Sequence, residues 1–172
     1  AAMARLIGGG LNDDQAALLE LGLHHEEQHQ ELILMDIKHA FSRNAVLPAY
    51  QPSRGEKPSA QTAGTWTTVE GGLVEIGHDG ASFGFDNEGP RHKVWLEPFD
   101  IADRLVTCGE WLAFITGGGY RDPRWWLSDG WATVQREGWT APQYWRPSDA
   151  GWQVLTLEGL KSLDPAQPVC HI

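Results

Sequence analysis

Two histidines in the segment HHEEQHQEL have the spacing of metal ligands. His25 and His29 are four residues apart, so on a helix their side chains would leave the same face, close enough to share one ion. Neutral imidazole binds zinc, iron, copper and nickel, and the spacing alone therefore does not name the metal. We predict that His25 and His29 are two ligands of a catalytic metal ion.

The same residues also satisfy a second motif. His25, Glu26 and His29 form H-E-x-x-H, the pattern in which two histidines hold zinc and the glutamate acts as general base of a hydrolase. Against this alternative, both intervening residues are polar, and no third ligand follows at the spacing of the larger zinc-protease families. A zinc hydrolase stays an alternative, as does a polar helix face without any metal.

A single long helix is predicted to position these histidines. Asn12 and Gln15 fit a capping box, and no proline follows before Phe41. Positions at three- and four-residue spacing share one helix face: Leu18, Leu21, His25, His29 (or Gln28) and Leu32. We therefore expect the histidines to continue an apolar stripe that faces the protein interior, where an unpaired imidazole is costly.

A change of composition divides the rest of the chain. Residues 45–63 contain prolines and little periodicity, which indicates an extended linker. From residue 64 onward, short alternating runs predict strands in TWTTVEGGLVEIG and HKVWLEPFDIA. Thr107 and Glu110 form another capping box, which predicts a short helix that the glycine triplet 117–119 ends. We expect the remainder to be mostly loop.

Charge and cysteine content exclude several classes of partner. The net charge is −10 and no basic block is present, which argues against a nucleic-acid partner. No apolar run approaches the length of a membrane span, and the first residues lack the pattern of a secretory signal. The two cysteines, Cys108 and Cys170, are far apart in sequence. We expect reduced thiols in a soluble, cytoplasmic protein.

The histidine segment closely resembles the metal-binding helix of a known enzyme family. Read as His25-x-x-x-His29-x-Glu31 within LGLHHEEQHQELILMDIKHAF, it resembles the DinB-like domain of the ergothioneine-biosynthetic sulfoxide synthases, the EgtB family. The downstream segment resembles the first half of a formylglycine-generating-enzyme, or sulfatase-modifying-factor, domain, which has a C-type-lectin-like fold. Three motifs carry this second resemblance: E-x-P-x-H (Glu88 to His92), F-x-I (Phe99 to Ile101) and V-T-x-x-E (Val106 to Glu110).

The resemblance implies an α+β protein in three parts. Residues 1–44 would be the C-terminal helix of a DinB-like four-helix bundle. Residues 45–63 would be the proline-containing linker, and residues 64–172 the N-terminal half of the lectin-like domain.

The resemblance also implies an activity. Enzymes of this family bind Fe(II) through three histidines, and His25 and His29 match two of them. Gln28 matches a residue that contacts the histidine-derived substrate, and Glu31 matches an acidic residue that supports the ligands without binding the metal. The implied reaction uses O2 to join the sulfur of γ-glutamylcysteine or cysteine to the imidazole of Nα-trimethylhistidine, with a sulfoxide as product.

We expect two parts of this site to lie outside this sequence. In the family, the third histidine comes from an earlier helix of the bundle, and the catalytic tyrosine comes from the second half of the lectin-like domain. The other histidines do not match the third ligand: His39, His78, His92 and His171. We expect the catalytic residue to lie outside this chain, and a fragment of this extent to be inactive alone. A non-catalytic alternative is a lectin-like module that carries a degenerate DinB helix and serves only as a binding or scaffold domain.

Overall fold

The protein combines α-helices with short β-strands, as the predicted α+β class requires. The computed structural model describes residues 2–53, 55 and 63–172. The α-helices are α1 (Ala2–Gly8), α2 (Asp13–Ser42), α3 (Cys108–Thr116) and α4 (Ser128–Glu137). The strands are β1 (Trp66–Val69), β2 (Gly72–Ile76), β3 (His92–Leu96), β4 (Phe99–Ala102), β5 (Trp145–Ser148), β6 (Gly151–Thr156) and β7 (Gly159–Ser162). None of the described helices is both long enough and apolar enough to cross a membrane.

The chain forms two compact units. One unit joins the residues up to Met35 to the segment Thr68–Ile101, and the other joins Asp36–Thr67 to Ala102–Ile172. Of the linker predicted at 45–63, residues 54 and 56–62 lie outside the described residues. The domain limits at 44 and 63 stay a prediction.

The long helix α2 begins and ends close to its predicted limits. The side chain of Gln15 accepts a hydrogen bond from the backbone N–H of Asn12 at 3.1 Å, and that of Asn12 accepts one from the N–H of Gln15 at 2.9 Å. These two bonds form the predicted capping box, which satisfies backbone donors that the first helical turn leaves unpaired. The predicted helix is therefore confirmed.

The predicted burial of the apolar stripe on α2 is wrong. No residue of α2 is buried, and Leu18 and Leu32 keep 69% and 51% of their surface exposed. An amphipathic face is buried only when another element packs along it. Among the described residues, no element packs against this face closely enough to bury it.

A short antiparallel ladder forms a two-stranded sheet in the first unit. Strand β2 pairs with β3, with Val74 opposite Val94 and Ile76 opposite His92. Within β3, Val94 and Leu96 are half-buried and their neighbours are exposed, so the predicted alternation is confirmed. Strands β1 and β2 follow each other in sequence but do not pair, because β1 lies beside β4.

The second unit has an aromatic and aliphatic core. Helix α3 begins at Thr107, whose side chain accepts a hydrogen bond from the backbone N–H of Glu110, so the predicted capping box is confirmed. The ring of Tyr120 lies 5.9 Å from Phe114 and 5.4 Å from Trp126. Tyr120 is buried, and these rings supply part of the core of this unit.

The segment expected to be mostly loop contains a helix and a three-stranded sheet. Helix α4 is followed by the antiparallel meander β5–β6–β7. Leu155 of β6 has no exposed surface, and Val134 of α4 keeps 1%. The expectation of loop is therefore wrong, because these elements are stabilised by side chains that pack between them rather than by strong local patterns.

Candidate metal centre

His25 and His29 lie side by side on α2. Their ring centroids are 4.5 Å apart, and the ring planes meet at 82°. Both residues are exposed to solvent. The helix thus brings together the two imidazoles that the spacing selected, and it leaves them open to an incoming ion or side chain. Whether they bind a metal stays a prediction.

The other two predicted site residues are on the same stretch of helix. Gln28 and Glu31 are exposed, and Glu26 of the alternative H-E-x-x-H motif is exposed as well. Glu31 lies two positions after His29, which is not a spacing that places side chains on one helix face. Within the described residues, Glu31 forms no hydrogen bond or ion pair with either histidine ring, so its supporting role stays a prediction.

The described residues do not supply a complete set of metal ligands. Among them, no group of three or more histidine, cysteine, aspartate or glutamate side chains is arranged to hold an ion. Imidazole nitrogen is a donor that both Fe(II) and Zn(II) accept, and the two rings share one face. The pair therefore fits a non-haem iron ion as two of its protein ligands, and further ligands have to come from elsewhere.

The histidines that were not nominated have other partners. His39 Nδ1 lies 3.3 Å from the hydroxyl of Tyr144. His92 donates from Nδ1 to the carbonyl of Pro90 at 3.0 Å. His171 Nε2 lies 3.0 Å from the ammonium of Lys38. These contacts give each ring a role in the structure of its own region.

His24 is a residue near the pair that the sequence interpretation missed. Its ring stacks on that of Phe83, with centroids 4.1 Å apart and planes at 23°. Its Nδ1 lies 3.3 Å from a carboxylate oxygen of Glu27, and its side chain keeps 40% of its surface exposed. No periodic pattern could have predicted this contact, because Phe83 lies in an irregular loop.

A charged group anchors the start of α3. Arg104 donates two hydrogen bonds to the carboxylate of Glu110, at 2.8 and 2.6 Å. These bonds, followed by one from the backbone N–H of Thr107, lower the pKa of Glu110 to about 2. This anchor holds the glutamate of the V-T-x-x-E motif and keeps its carboxylate charged.

Neither cysteine is bonded to a second sulfur. Cys108 is buried and Cys170 is exposed. Burial raises the pKa of the Cys108 thiol, which makes it a poor nucleophile at neutral pH. This agrees with a structural role for Cys108 in the first turn of α3.

Comparison with known proteins identifies the family of the larger part of the chain. Residues 52–172 match the family described as Sulfatase-modifying factor enzyme 1-like domain. Since this match covers more than half of the chain, the protein belongs to that family. The predicted resemblance of the downstream segment is confirmed.

Individual relatives extend the match to the histidine helix. The chain is 34% identical over 164 residues to the hercynine oxygenase of Mycolicibacterium smegmatis, which covers 91% of this chain and 36% of the relative. It is 36% identical over 155 residues to the hercynine oxygenase of Mycolicibacterium thermoresistibile, covering 86% and 32%. A third hercynine oxygenase, from Mycobacterium tuberculosis, is 43% identical over 88 residues, covering 51% and 20%.

These relatives confirm the predicted resemblance to the ergothioneine-biosynthetic sulfoxide synthases. The chain spans about a third of the length of the first two relatives.

Proposed function

We propose that this chain carries part of the iron site of an O2-dependent sulfoxide synthase. The reaction would join a cysteine thiol to Nα-trimethylhistidine. The observation that carries the proposal is the histidine pair, 4.5 Å apart on one face of α2, in a chain 34% identical across 91% of its length to a hercynine oxygenase. The helix would then be the last helix of a DinB-like bundle, joined to the sulfatase-modifying-factor-like domain.

The overall reaction balances with O2 as the oxidant. A thiol, an imidazole C–H and one O2 give a sulfoxide bridging the two groups and one water. The thiol would come from γ-glutamylcysteine or cysteine, and the reaction would take place in the cytoplasm, where thiols stay reduced.

Each predicted site residue has a role in this proposal. His25 and His29 would hold Fe(II) through imidazole nitrogens, and the bound ion would supply O2 activation. Gln28 lies next to His29 in sequence, where its amide could hydrogen-bond to the histidine-derived substrate. Glu31 would support the ligand helix. The third ligand and the group that transfers the proton would come from outside the described residues.

Metal binding and oxygen uptake together test this proposal. The full-length protein is titrated with Fe(II) in the absence of oxygen. O2 consumption is then measured in the presence of trimethylhistidine and either γ-glutamylcysteine or cysteine. We expect Fe(II) binding and O2 uptake that requires both organic substrates. Zinc uptake with peptidase activity would contradict the proposal and support the hydrolase alternative. Absence of metal uptake would contradict both enzyme hypotheses and leave a binding module.

Replacement of Glu26 separates the two enzyme hypotheses. In a zinc hydrolase this carboxylate is the general base, so Glu26→Gln would abolish hydrolysis. In the sulfoxide synthase Glu26 has no assigned role, and Glu26→Gln should keep most of the O2 uptake. The variant Gln30→Ala, at another exposed position of α2, is the control for general damage to the helix.

A further inference from the structure

The ring of His24 connects the histidine segment of α2 to a loop of the same compact unit through an aromatic contact. His24 stacks on Phe83 with centroids 4.1 Å apart. Phe83 in turn meets Phe85 edge to face, with centroids 5.0 Å apart. Both phenylalanines are half-buried. The contact therefore joins the residue before His25 to a small aromatic cluster rather than to a solvated side chain.

Internal contacts hold the loop that carries Phe83 in shape. The backbone N–H of Gly80 donates to His78 Nδ1 at 3.0 Å, and His78 Nε2 lies 3.2 Å from the hydroxyl of Ser82. The His78 ring also packs on Gly84, where an added Cβ would lie only 2.8 Å from a ring carbon. Phe83 thus lies in a loop that is held by its own hydrogen bonds and packing, and α2 contacts this loop through His24.

His24 itself is not placed to be a ligand of the pair. Adjacent residues of a helix point about 100° apart, so His24 and His25 leave different sides of α2. One face of the His24 ring lies against Phe83, and its Nδ1 lies 3.3 Å from a carboxylate oxygen of Glu27. These contacts occupy one face and one nitrogen of the His24 ring, on a different side of α2 from His25.

We propose that His24, through its stack on Phe83, is a positioning residue for His25 and His29. The inference rests on the proposed function, since it concerns where the metal-binding face of α2 points. The remainder of α2 has no buried residue, so a ring stack one position before His25 restricts rotation and sliding of this turn. Loss of the stack would let the pair turn away from the other ligands.

The test measures metal binding by the purified full-length protein. His24→Ala and Phe83→Ala are titrated with Fe(II) without oxygen, and with Co(II), whose visible bands report the ligand geometry. Each variant should bind Fe(II) about 10-fold more weakly, as when a residue that orients a metal ligand is lost, and should shift the Co(II) bands. His24→Phe keeps an aromatic ring and should bind within about twofold of the original protein.

A matched control and a double variant complete the test. Glu20→Ala changes an exposed residue one turn before His24 and should leave Fe(II) affinity and Co(II) bands unchanged. The double variant His24→Ala with Phe83→Ala should be no weaker than either single variant, because both remove the same contact.

The outcomes separate this inference from the proposed function. If the wild-type protein binds Fe(II) and both alanine variants bind it with the same affinity, the positioning role is overturned while the proposed function stands. A weak His24→Phe variant, or a normal Phe83→Ala variant, would also overturn the role of the stack. If the original protein binds no Fe(II), the proposed function fails, and the positioning role fails with it.

Discussion

His25 and His29 present their imidazoles 4.5 Å apart on one face of α2, with the ring planes at 82°. This relationship follows from the helix alone, because residues four apart stand one above the other. Both rings therefore lie on the same face of one helix, and the metal binding proposed here depends on both histidines.

Loss of either histidine should therefore remove most of the metal affinity. We expect His25→Ala or His29→Ala to weaken Fe(II) binding by more than about 10-fold, which is the lower limit seen when only a supporting partner is lost. Anaerobic titration measures the effect, and Gln30→Ala is the control. Unchanged affinity in either histidine variant would show that the pair does not bind the metal.

The anchor between Arg104 and Glu110 should make the second unit sensitive to acid. The pKa of Glu110 is about 2 in the folded protein, against an ordinary value of 4.5. Because folding lowers the pKa of Glu110, its charged carboxylate stabilises the fold at a pH above the ordinary pKa. This stabilisation is lost as the pH falls towards the pKa of the folded protein. Urea unfolding between pH 6 and pH 2 should show this loss in the original protein. Glu110→Gln should show a smaller loss over the same range, and parallel curves would contradict the role of the anchor.

Two glycine-to-alanine changes should act in opposite directions. Gly71 has a φ of +75°, and an added Cβ would lie 2.5 Å from the carbonyl oxygen of Leu96. Gly71→Ala should destabilise the protein by more than about 1 kcal/mol, since both the backbone and the neighbouring strand would have to move. Gly22 lies within α2, and apart from the adjacent helix backbone no atom comes within 4 Å of an added Cβ. Gly22→Ala should therefore stabilise the helix by up to about 1 kcal/mol. Thermal unfolding of the two variants gives the signs.

The core of the second unit should depend on Leu155. This side chain has no exposed surface, so Leu155→Ala would remove buried methyl groups and leave a cavity. A loss of about 2–5 kcal/mol in the free energy of unfolding is expected. Leu127 is 87% exposed, and Leu127→Ala should change stability by no more than about 0.5 kcal/mol. Equal effects in the two variants would mean that β6 is not part of the core.

The contrast between α3 and α4 shows why some elements could be predicted and others could not. Helix α3 begins at Thr107 with both bonds of a capping box, a signal that the letters Thr-x-x-Glu carry on their own. Helix α4 begins after Leu127, whose side chain makes no capping bond, and it is held in place by the buried Val134. A helix that depends on packing in this way leaves a weak local signal.

The sequence by itself determined the elements that local rules govern, and the tertiary structure decided what those elements touch. The capping box at Asn12, the facing pair His25 and His29, and the alternation of β3 all follow from bonds and spacings within a few residues. The exposure of the α2 stripe and the stack of His24 on Phe83 do not. Phe83 is 59 positions beyond His24, and contacts across such a distance depend on how the whole chain packs, which no short pattern encodes.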